Sequence, residues 1–290
     1  MTTLHRRALP VLATILLSAL TFTPAASAAP VDWGLDRIDQ RDLPLNGAYQ
    51  PVGNGAGVNI YVLDTGIRTT HQAFGGRART AYDPEGVGGD CASHGTAVGS
   101  IAARTAPAAT IQSVRALCGR VDVVAAVRWV AANAVKPAVL NLSLGGARNA
   151  AMDAAVQQVL NAGIPVVVSA GNQPVDACNG SPSRVRDAIT VGSVTRTDQV
   201  WQHSANGPCV DLFAPGAAIL TATSESDTAT ATHDGTSEAA PFVSGVVANY
   251  LGAHPAATVA EVNKHLVDGA TKNKITGLKA GTPNRLLYAR

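Results

Sequence analysis

Three short segments of the sequence combine a reactive polar side chain with closely spaced glycines. They are VLDTG with Asp64, SHGTAVG with His94 and DGTSEAAP with Ser237. Nucleophilic hydrolysis needs an activated hydroxyl, a base that takes its proton and a carboxylate that orients the base. Asp, His and Ser can supply those roles, and this chain order is one in which such triads occur. The three segments therefore indicate a hydrolytic site.

Each of these residues also has an ordinary structural interpretation. Ser237 precedes an Ala/Val-rich helical pattern and could be a helix N-cap, while Asp64-Thr-Gly has the composition of a turn. A lone His94 could be a surface residue, and Asn172 in the segment SAGN could satisfy loop backbone. Their joint occurrence in this order favours the hydrolytic site over four independent structural roles.

Alternating strand and helix patterns form the framework that must position these residues. Apolar, β-branched segments separated by helical patterns predict a parallel sheet that is covered by helices on both faces. The fold class is therefore α/β, a three-layer α/β/α domain with a central, mostly parallel sheet. Functional groups collect at the carboxyl ends of such strands, where Asp64, Asn172 and the segment 141–146 fall. The predicted strand segments are 57–66, 109–117, 138–146, 164–172 and 188–194.

The first 28 residues have the features of a secretory signal peptide. A basic patch with Arg6 and Arg7 precedes the apolar run Val11–Leu20, and Ala26-Ser27-Ala28 forms an A-x-A cleavage pattern. The apolar run is too short to span a bilayer, which disfavours a membrane anchor. We therefore expect a signal peptide over residues 1–28, one domain over residues 29–290, and a secreted, extracellular product.

Composition limits the partners of the predicted domain. The net charge is only +2 and no basic stripe is present, so nucleic acid is not expected. No apolar run after the leader is long enough to cross a membrane. The four cysteines are an even number in a chain expected to be exported, which favours disulfides over a metal site. The sequence alone allows three pairings among Cys91, Cys118, Cys178 and Cys209.

Eight segments occur along the chain in the order found in one protease family. They are WGLDRIDQRDLPL, VLDTGIRTTHQAFGGRA, DCASHGT, NLSLGG, SAGN, CVDLFAPG, GTSEAAPFVSGV and PNRLLY. On these segments, residues 29–290 resemble the catalytic domain of the subtilisin-like serine proteases, within them the proteinase K branch and its aqualysin-type enzymes. The resemblance implies a subtilisin-like fold and a secreted serine endopeptidase that acts as a monomer on proteins or peptides.

The resemblance also implies a role for each matching residue. Ser237 would attack the scissile carbonyl, His94 would act as base and then as acid, and Asp64 would hold His94. Asn172 would donate its side-chain amide to the developing oxyanion, together with the backbone N–H of Ser237. Ser143, Leu144 and Gly145 would pair with substrate backbone as an added strand, and small residues at the specificity pocket would leave room for an apolar or aromatic side chain before the cut. The residues assigned to substrate binding are Ser143, Leu144, Gly145, Gly146, Ala170 and Gly171.

Disulfides and calcium follow from the same resemblance. It implies the pairs Cys91–Cys118 and Cys178–Cys209, and a structural calcium ion held by Asp211 with carbonyl groups of the preceding loop. Asp36 and Asp39 resemble a second calcium site, since carboxylates and carbonyls suit this cation. Capping and ion pairing are the alternative for these two residues.

The sequence departs from the family pattern in several places. Glu238 stands where relatives carry methionine, and its charge is expected to favour protonated His94. The segment after Cys118 is short where relatives have a second substrate-gripping strand. The domain-like start follows the leader closely, which leaves open unaided folding, a separate inhibitor or folding-helper protein, and a misplaced gene start. The alternative function is a catalytically idle relative that binds peptides or an inhibitor.

Overall fold

The structure is a computed structural model that describes residues 1–3 and 31–290. Apart from its first three residues, the predicted signal peptide lies outside the described residues. The chain divides into the units Met1–Pro30 and Val31–Arg290. The second unit contains the helices and strands described below.

Six helices and thirteen strands are formed by the described residues. The helices are α1 (Trp33–Ile38), α2 (His94–Thr105), α3 (Val123–Asn133), α4 (Ala150–Asn161), α5 (Thr236–Ala253) and α6 (Val259–Gly269), with 3₁₀ turns at Gln72–Phe74 and Ala177–Asn179. The strands are β1 (Asn59–Asp64), β2 (Ala78–Tyr82), β3 (Thr110–Arg115), β4 (Ala138–Leu142), β5 (Gly146–Ala147), β6 (Val166–Ser169), β7 (Gly180–Ser181), β8 (Ile189–Val194), β9 (Leu212–Pro215), β10 (Ile219–Ala222), β11 (Thr230–His233), β12 (Thr271–Lys272) and β13 (Arg285–Leu286).

Nine of these strands form one sheet in the order β12-β13-β9-β8-β6-β4-β1-β3-β2. All neighbours in it pair in parallel except β12 and β13. The chain runs from β1 to the edge strand β2, returns to β3 beside β1, and then places β4 on the other side of β1. The strand order therefore reverses around β1, and a crevice at the carboxyl ends is expected at such a point.

The side chains of β1 alternate between two apolar layers. Ile60 and Val62 pack in a cluster with residues of α2 and α5, while Tyr61 and Leu63 pack in a cluster with residues of α3 and α4. The sheet is thus buried on both faces, which confirms the predicted three-layer architecture. Within the described part of the chain, no helix has the length and apolar character needed to cross a membrane.

Two disulfides connect surface segments. The structure joins Cys91 to Cys118 and Cys178 to Cys209, the two pairs that the resemblance implies. The first links the segment before α2 to the segment after β3. The second links the 3₁₀ turn after β6 to the segment before β9.

A buried ion pair attaches α1 to the segment that follows β8. The guanidinium of Arg37 is fully buried and donates from Nε and Nη2 to the two oxygens of Asp198, at 2.6 and 2.9 Å. Its Nη1 donates to the carbonyl of Gln40 at 2.6 Å. Removing one partner of a buried ion pair strongly destabilises the folded state, because the other charge stays buried without a counter-charge.

Replacing Arg37 with methionine should lower the free energy of unfolding by about 3–5 kcal/mol, because Asp198 would keep its burial and lose its counter-charge. Urea denaturation followed by tryptophan fluorescence measures this change. Lys264→Met removes a cation from an exposed pair with Asp268 and should cost less than about 1 kcal/mol. A similarly small loss for Arg37→Met would contradict the interpretation.

Candidate active site

The end of β1 and the beginning of α2 bring Asp64 and His94 together. Asp64 is the last residue of β1 and is fully buried, and His94 is the first residue of α2 with 35% of its side chain exposed. His94 Nδ1 lies 2.7 Å from Asp64 Oδ1. Because an ionised carboxylate only accepts hydrogen bonds, Nδ1 carries the proton and Nε2 of the neutral ring is left as an acceptor.

A glycine makes this close approach of helix and strand possible. A β-carbon on Gly95 would lie 2.1 Å from the carbonyl oxygen of Gly66 and 3.1 Å from the β-carbon of Asp64. Any side chain at position 95 would therefore push the first turn of α2 away from the end of β1. Glycine in the segment SHGT is therefore required by the lack of space for a side chain at position 95.

Opposing effects determine the protonation of His94. Burial disfavours the charged imidazolium, but the hydrogen bond and charge of Asp64, followed by the charges of Glu238 and Asp90, outweigh it and raise the pKa of His94 to about 9. Acidic groups from three different segments of the chain therefore face one imidazole.

Ser237 lies in the first turn of α5, where its backbone N–H has no acceptor within the helix. Its hydroxyl donates to the carbonyl of Ser143 at 3.3 Å, and among the described residues it forms no hydrogen bond with His94. In return, the hydroxyl of Ser143 donates to the carbonyl of Ser237 at 2.8 Å. That carbonyl needs an external donor because Pro241, four residues on in α5, has no N–H. The structure thus fixes the backbone of Ser237, while its hydroxyl is bonded to Ser143 and not to the imidazole.

Asn172 follows β6, and its amide is oriented by Thr236. Asn172 Oδ1 accepts from the N–H and the hydroxyl of Thr236 at 2.9 and 2.7 Å, so Nδ2 faces the opposite way. Asn172 Nδ2 and Ser237 N lie 3.2 and 3.4 Å from the point that a β-carbon on Gly235 would occupy. Two N–H donors therefore converge beside Gly235. Sequence reasoning missed Thr236, because its contact with Asn172 joins residues that are far apart in the chain.

A cavity of about 830 Å³ adjoins these donors. Its lining includes all six residues that the sequence assigned to substrate binding, together with Asn172 and Ser237. Small residues that the sequence analysis did not assign, among them Ala177 and Gly180 beside the Cys178 disulfide, complete the wall. The neighbouring residues 143–145 lie between β4 and β5, whereas Gly146 pairs with Ser181.

Glu238 is almost completely buried beside the same converging donors. Its Oε2 lies 2.5 Å from the point that a β-carbon on Gly235 would occupy, and 3% of the residue is exposed. Burial raises the pKa of Glu238, while the charge of His94 opposes that shift. The structure thus places this carboxyl close to the converging N–H groups and near enough to His94 for their charges to interact.

The three residues with possible calcium roles have different surroundings. Asp211 accepts from the backbone N–H of Thr190 at 2.8 Å, and burial raises its pKa to about 6. The charge of Arg285 opposes that shift, but no ion pair with Asp211 occurs among the described residues, and a carboxylate with one N–H donor retains oxygens that a hard cation could bind. No group of three or more His, Cys, Asp or Glu side chains suited to a metal occurs in the described part of the chain.

Asp36 and Asp39 have partners of their own. The two oxygens of Asp36 accept from the backbone N–H groups of Asn46 and Gly47 at 3.2 and 2.8 Å. Asp39 Oδ1 accepts from Arg290 Nε at 2.5 Å. These contacts favour capping and ion pairing over a second calcium site.

An imidazole–carboxylate pair and a helix-borne serine at the carboxyl edge of a parallel sheet are features of the α/β serine hydrolases as a class. Comparison with known proteins narrows the class. Residues 55–284 match the sequence profile of the subtilase family. The chain belongs to this family of serine proteases, which confirms the resemblance found in the sequence.

Individual relatives give the extent of the similarity. The chain is 48% identical over 275 residues to an extracellular serine proteinase of Thermus sp. (strain Rt41A), covering 91% of this chain and 67% of the relative. It is 42% identical over 269 residues to the alkaline serine exoprotease A of Vibrio alginolyticus, covering 89% of this chain and 50% of the relative. The chain thus spans half to two thirds of the length of these two proteins.

A solved structure agrees with the fold. The crystal structure of a cold-adapted subtilisin-like serine proteinase superposes with a TM-score of 0.86 at 41% sequence identity. The match covers 90% of this chain and 99% of that chain. The central sheet and its flanking helices are therefore those of a subtilisin-like fold.

Replacing Glu238 with glutamine should move the acid limb of kcat/KM to lower pH. With His94 as the base, the limb would report protonation of His94 in the free protein, and removing a negative charge near the imidazole lowers its pKa. Hydrolysis of a chromogenic peptide between pH 5 and 10 measures the midpoint. Asp268→Asn, which removes an equal charge from the exposed surface of α6, should leave it in place. An unchanged midpoint in Glu238→Gln would mean that Glu238 is uncharged when His94 titrates.

Proposed function

We propose that the domain is a secreted serine endopeptidase that hydrolyses peptide bonds through Asp64, His94 and Ser237. The observation that carries this proposal is the Asp64–His94 contact of 2.7 Å, which leaves Nε2 as an acceptor. Membership of the subtilase family supports it. Ser237 and the converging donors lie at the start of α5, which packs against α2.

The first step of the reaction forms a tetrahedral intermediate. The Ser237 hydroxyl leaves the carbonyl of Ser143, turns to His94 Nε2 and transfers its proton there as Oγ bonds to the substrate carbonyl carbon. The hydrogen bond that this step needs is often formed only in the substrate complex. Asn172 Nδ2 and the N–H of Ser237 then donate to the oxyanion, and Asp64 stabilises the imidazolium.

The later steps form the acyl-enzyme and then restore the protein. His94 returns the proton to the leaving amine as the carbon–nitrogen bond breaks. A water molecule then gives a proton to His94 and attacks the ester carbon, after which the proton returns to Ser237 Oγ as the carboxylic acid leaves. Atoms and charge balance, since one water is consumed for each bond cut.

The cavity supports a broad preference for apolar or aromatic side chains before the cut. Its volume of about 830 Å³ exceeds what one side chain needs, and its walls are rich in glycine and alanine. The substrate backbone would extend along residues 143–145 as an added strand. Protein or peptide substrates are therefore proposed as its partners.

Secretion and assembly are proposed on separate grounds. The Thermus relative is named as extracellular, and two disulfides suit an oxidising compartment. A monomeric state and a separate inhibitor or folding helper stay predictions.

A catalytically idle peptide-binding relative is the second candidate. The observation that favours it is the Ser237 hydroxyl, which bonds to Ser143 instead of His94. Its cavity and added-strand segment would then hold a peptide without cutting it.

We also propose that Asp211 holds a structural calcium ion. Calcium supplies no chemistry to the reaction in this proposal, and its charge would compensate a buried carboxylate. The carbonyl groups of the preceding loop are the other expected ligands.

A fluorophosphonate should label Ser237 of the exported protein and abolish peptide hydrolysis, while Ser237→Ala should show neither labelling nor hydrolysis. Mass spectrometry of the labelled peptide identifies the site. Asn172→Leu removes one oxyanion donor and should lower kcat by about 10²–10³ with little change in KM. A protein that binds a peptide but is not labelled by the fluorophosphonate would support the catalytically idle, peptide-binding function instead.

Chelation with EGTA should accelerate thermal inactivation at pH 8, because an ion that binds only the folded state stabilises it by mass action. Asp211→Asn should inactivate as fast with calcium as without it. Asp39→Asn, whose carboxyl pairs with Arg290, should keep the calcium dependence. Equal inactivation rates of the unaltered protein with and without EGTA would disprove the calcium proposal.

A further inference from the structure

Asp90 lies four residues before His94, at the point where the chain approaches the first turn of α2. All its hydrogen-bond partners are donors. Its Oδ1 accepts from the hydroxyl of Thr65 at 2.7 Å and from the N–H of Ala92 at 3.0 Å. Its Oδ2 accepts from the N–H and the hydroxyl of Thr96 at 2.8 and 2.6 Å. An acceptor-only carboxylate satisfies all four donors, whereas an amide would turn its own N–H groups toward two of them.

These contacts join the two segments that carry the base and its carboxylate. Thr65 directly follows Asp64, and its hydroxyl also accepts from the N–H of Gly95 at 2.9 Å. Thr96 belongs to the first turn of α2. One carboxylate therefore connects the end of β1 with the beginning of α2 by side-chain and backbone hydrogen bonds.

The first turn of α2 needs such a contact from outside the helix. Its N-cap residue, Ser93, forms no side-chain cap hydrogen bond and has a φ of 64°, in the left-handed region that residues other than glycine rarely adopt. The hydroxyl of Ser93 instead pairs with that of Ser224 at 2.7 Å. Asp90 supplies the cap that the local sequence does not.

We propose that Asp90 is a positioning residue that fixes the start of α2 against the end of β1 and so holds the His94 imidazole at bonding distance from Asp64. Asp90 acts through Thr65 and Thr96, and the proposal assigns it no contact with substrate. The proposal rests on the proposed function of His94 as the base.

The charge of Asp90 gives the proposal a second readout. Asp64 from β1, Glu238 from α5 and Asp90 from the preceding loop all favour the charged form of His94. Loss of the Asp90 charge should therefore move the acid limb of kcat/KM to lower pH, in addition to any effect on rate.

Asp90→Asn should lower kcat by about 10-fold to 100-fold with KM changed less than about twofold, because small displacements of a catalytic base cost rate more than binding. Thr65→Val should have a similar effect on kcat, and Thr65→Ser, which keeps the hydroxyl, should restore it. The double variant Asp90→Asn/Thr65→Val should be little worse than either alone, since both act in one network. Glu261→Gln is the matched control, because Glu261 caps α6 through Thr258 and carries the same charge.

An unaltered kcat and pH profile in Asp90→Asn would overturn the proposal. The proposal would also be overturned if kcat fell only in proportion to the amount of protein that reacts with fluorophosphonate, while the pH midpoint stayed unchanged. That result would indicate misfolding and no effect on the position of His94. The downfield ¹H NMR resonance of His94 Nδ1–H reports the bond to Asp64 without any turnover. If the unaltered protein proves to be inactive, that resonance still tests the positioning role, and its persistence unchanged in Asp90→Asn would disprove it.

Discussion

The contact between a buried carboxylate and a partly exposed imidazole is the constraint on which the site depends. Asp64 is fully buried, and its Oδ2 has no hydrogen-bond partner among the described residues. Its Oδ1 accepts from His94 Nδ1 and from the backbone N–H of Thr65, both at 2.7 Å, and a buried carboxylate needs such donors, so His94 both is oriented by Asp64 and helps to satisfy it. The close approach of α2 to β1, with glycine at position 95, follows from this requirement.

The sheet topology then determines which other groups can reach the pair. Placing β4 beside β1 and β6 beside β4 brings the segments after these strands to the same edge. Behind them, Ser244 of α5 donates to Asn141 Oδ1 at 2.7 Å, and Asn141 Nδ2 donates to the hydroxyl of Ser143 at 3.0 Å. The hydroxyl of Ser143 in turn donates to the carbonyl of Ser237, which receives no helical hydrogen bond because Pro241 has no N–H. The missing N–H of the proline in α5 thus leaves a carbonyl that the polar residues at the end of β4 satisfy, and this hydrogen bond fixes the backbone of Ser237 relative to the sheet.

The sequence predicts the framework better than the contacts within the site. Apolar, β-branched runs such as that of β1 and the order Asp64, His94, Ser237 are local features of the sequence, so they are visible without a structure. The role of Thr236 toward Asn172 depends on contacts between distant segments, which a single sequence does not reveal. Asp36 and Asp39 show a different limit, because the same carboxylates can bind calcium, cap backbone N–H groups or pair with arginine. Only the positions of Asn46, Gly47 and Arg290 distinguish these roles.

The acidic surroundings of His94 have two opposite effects on the proposed reaction. Negative charge stabilises the imidazolium that forms as Ser237 loses its proton, which lowers the barrier. The same charge raises the pKa of the free base, so a smaller fraction of the protein is active near neutral pH. Glu238 adds a further effect, because an ionised carboxyl beside Asn172 Nδ2 opposes the oxyanion that this donor must stabilise. Above the pKa of His94 the imidazole is neutral, so there the charge that stabilises the imidazolium no longer reduces the fraction of active protein.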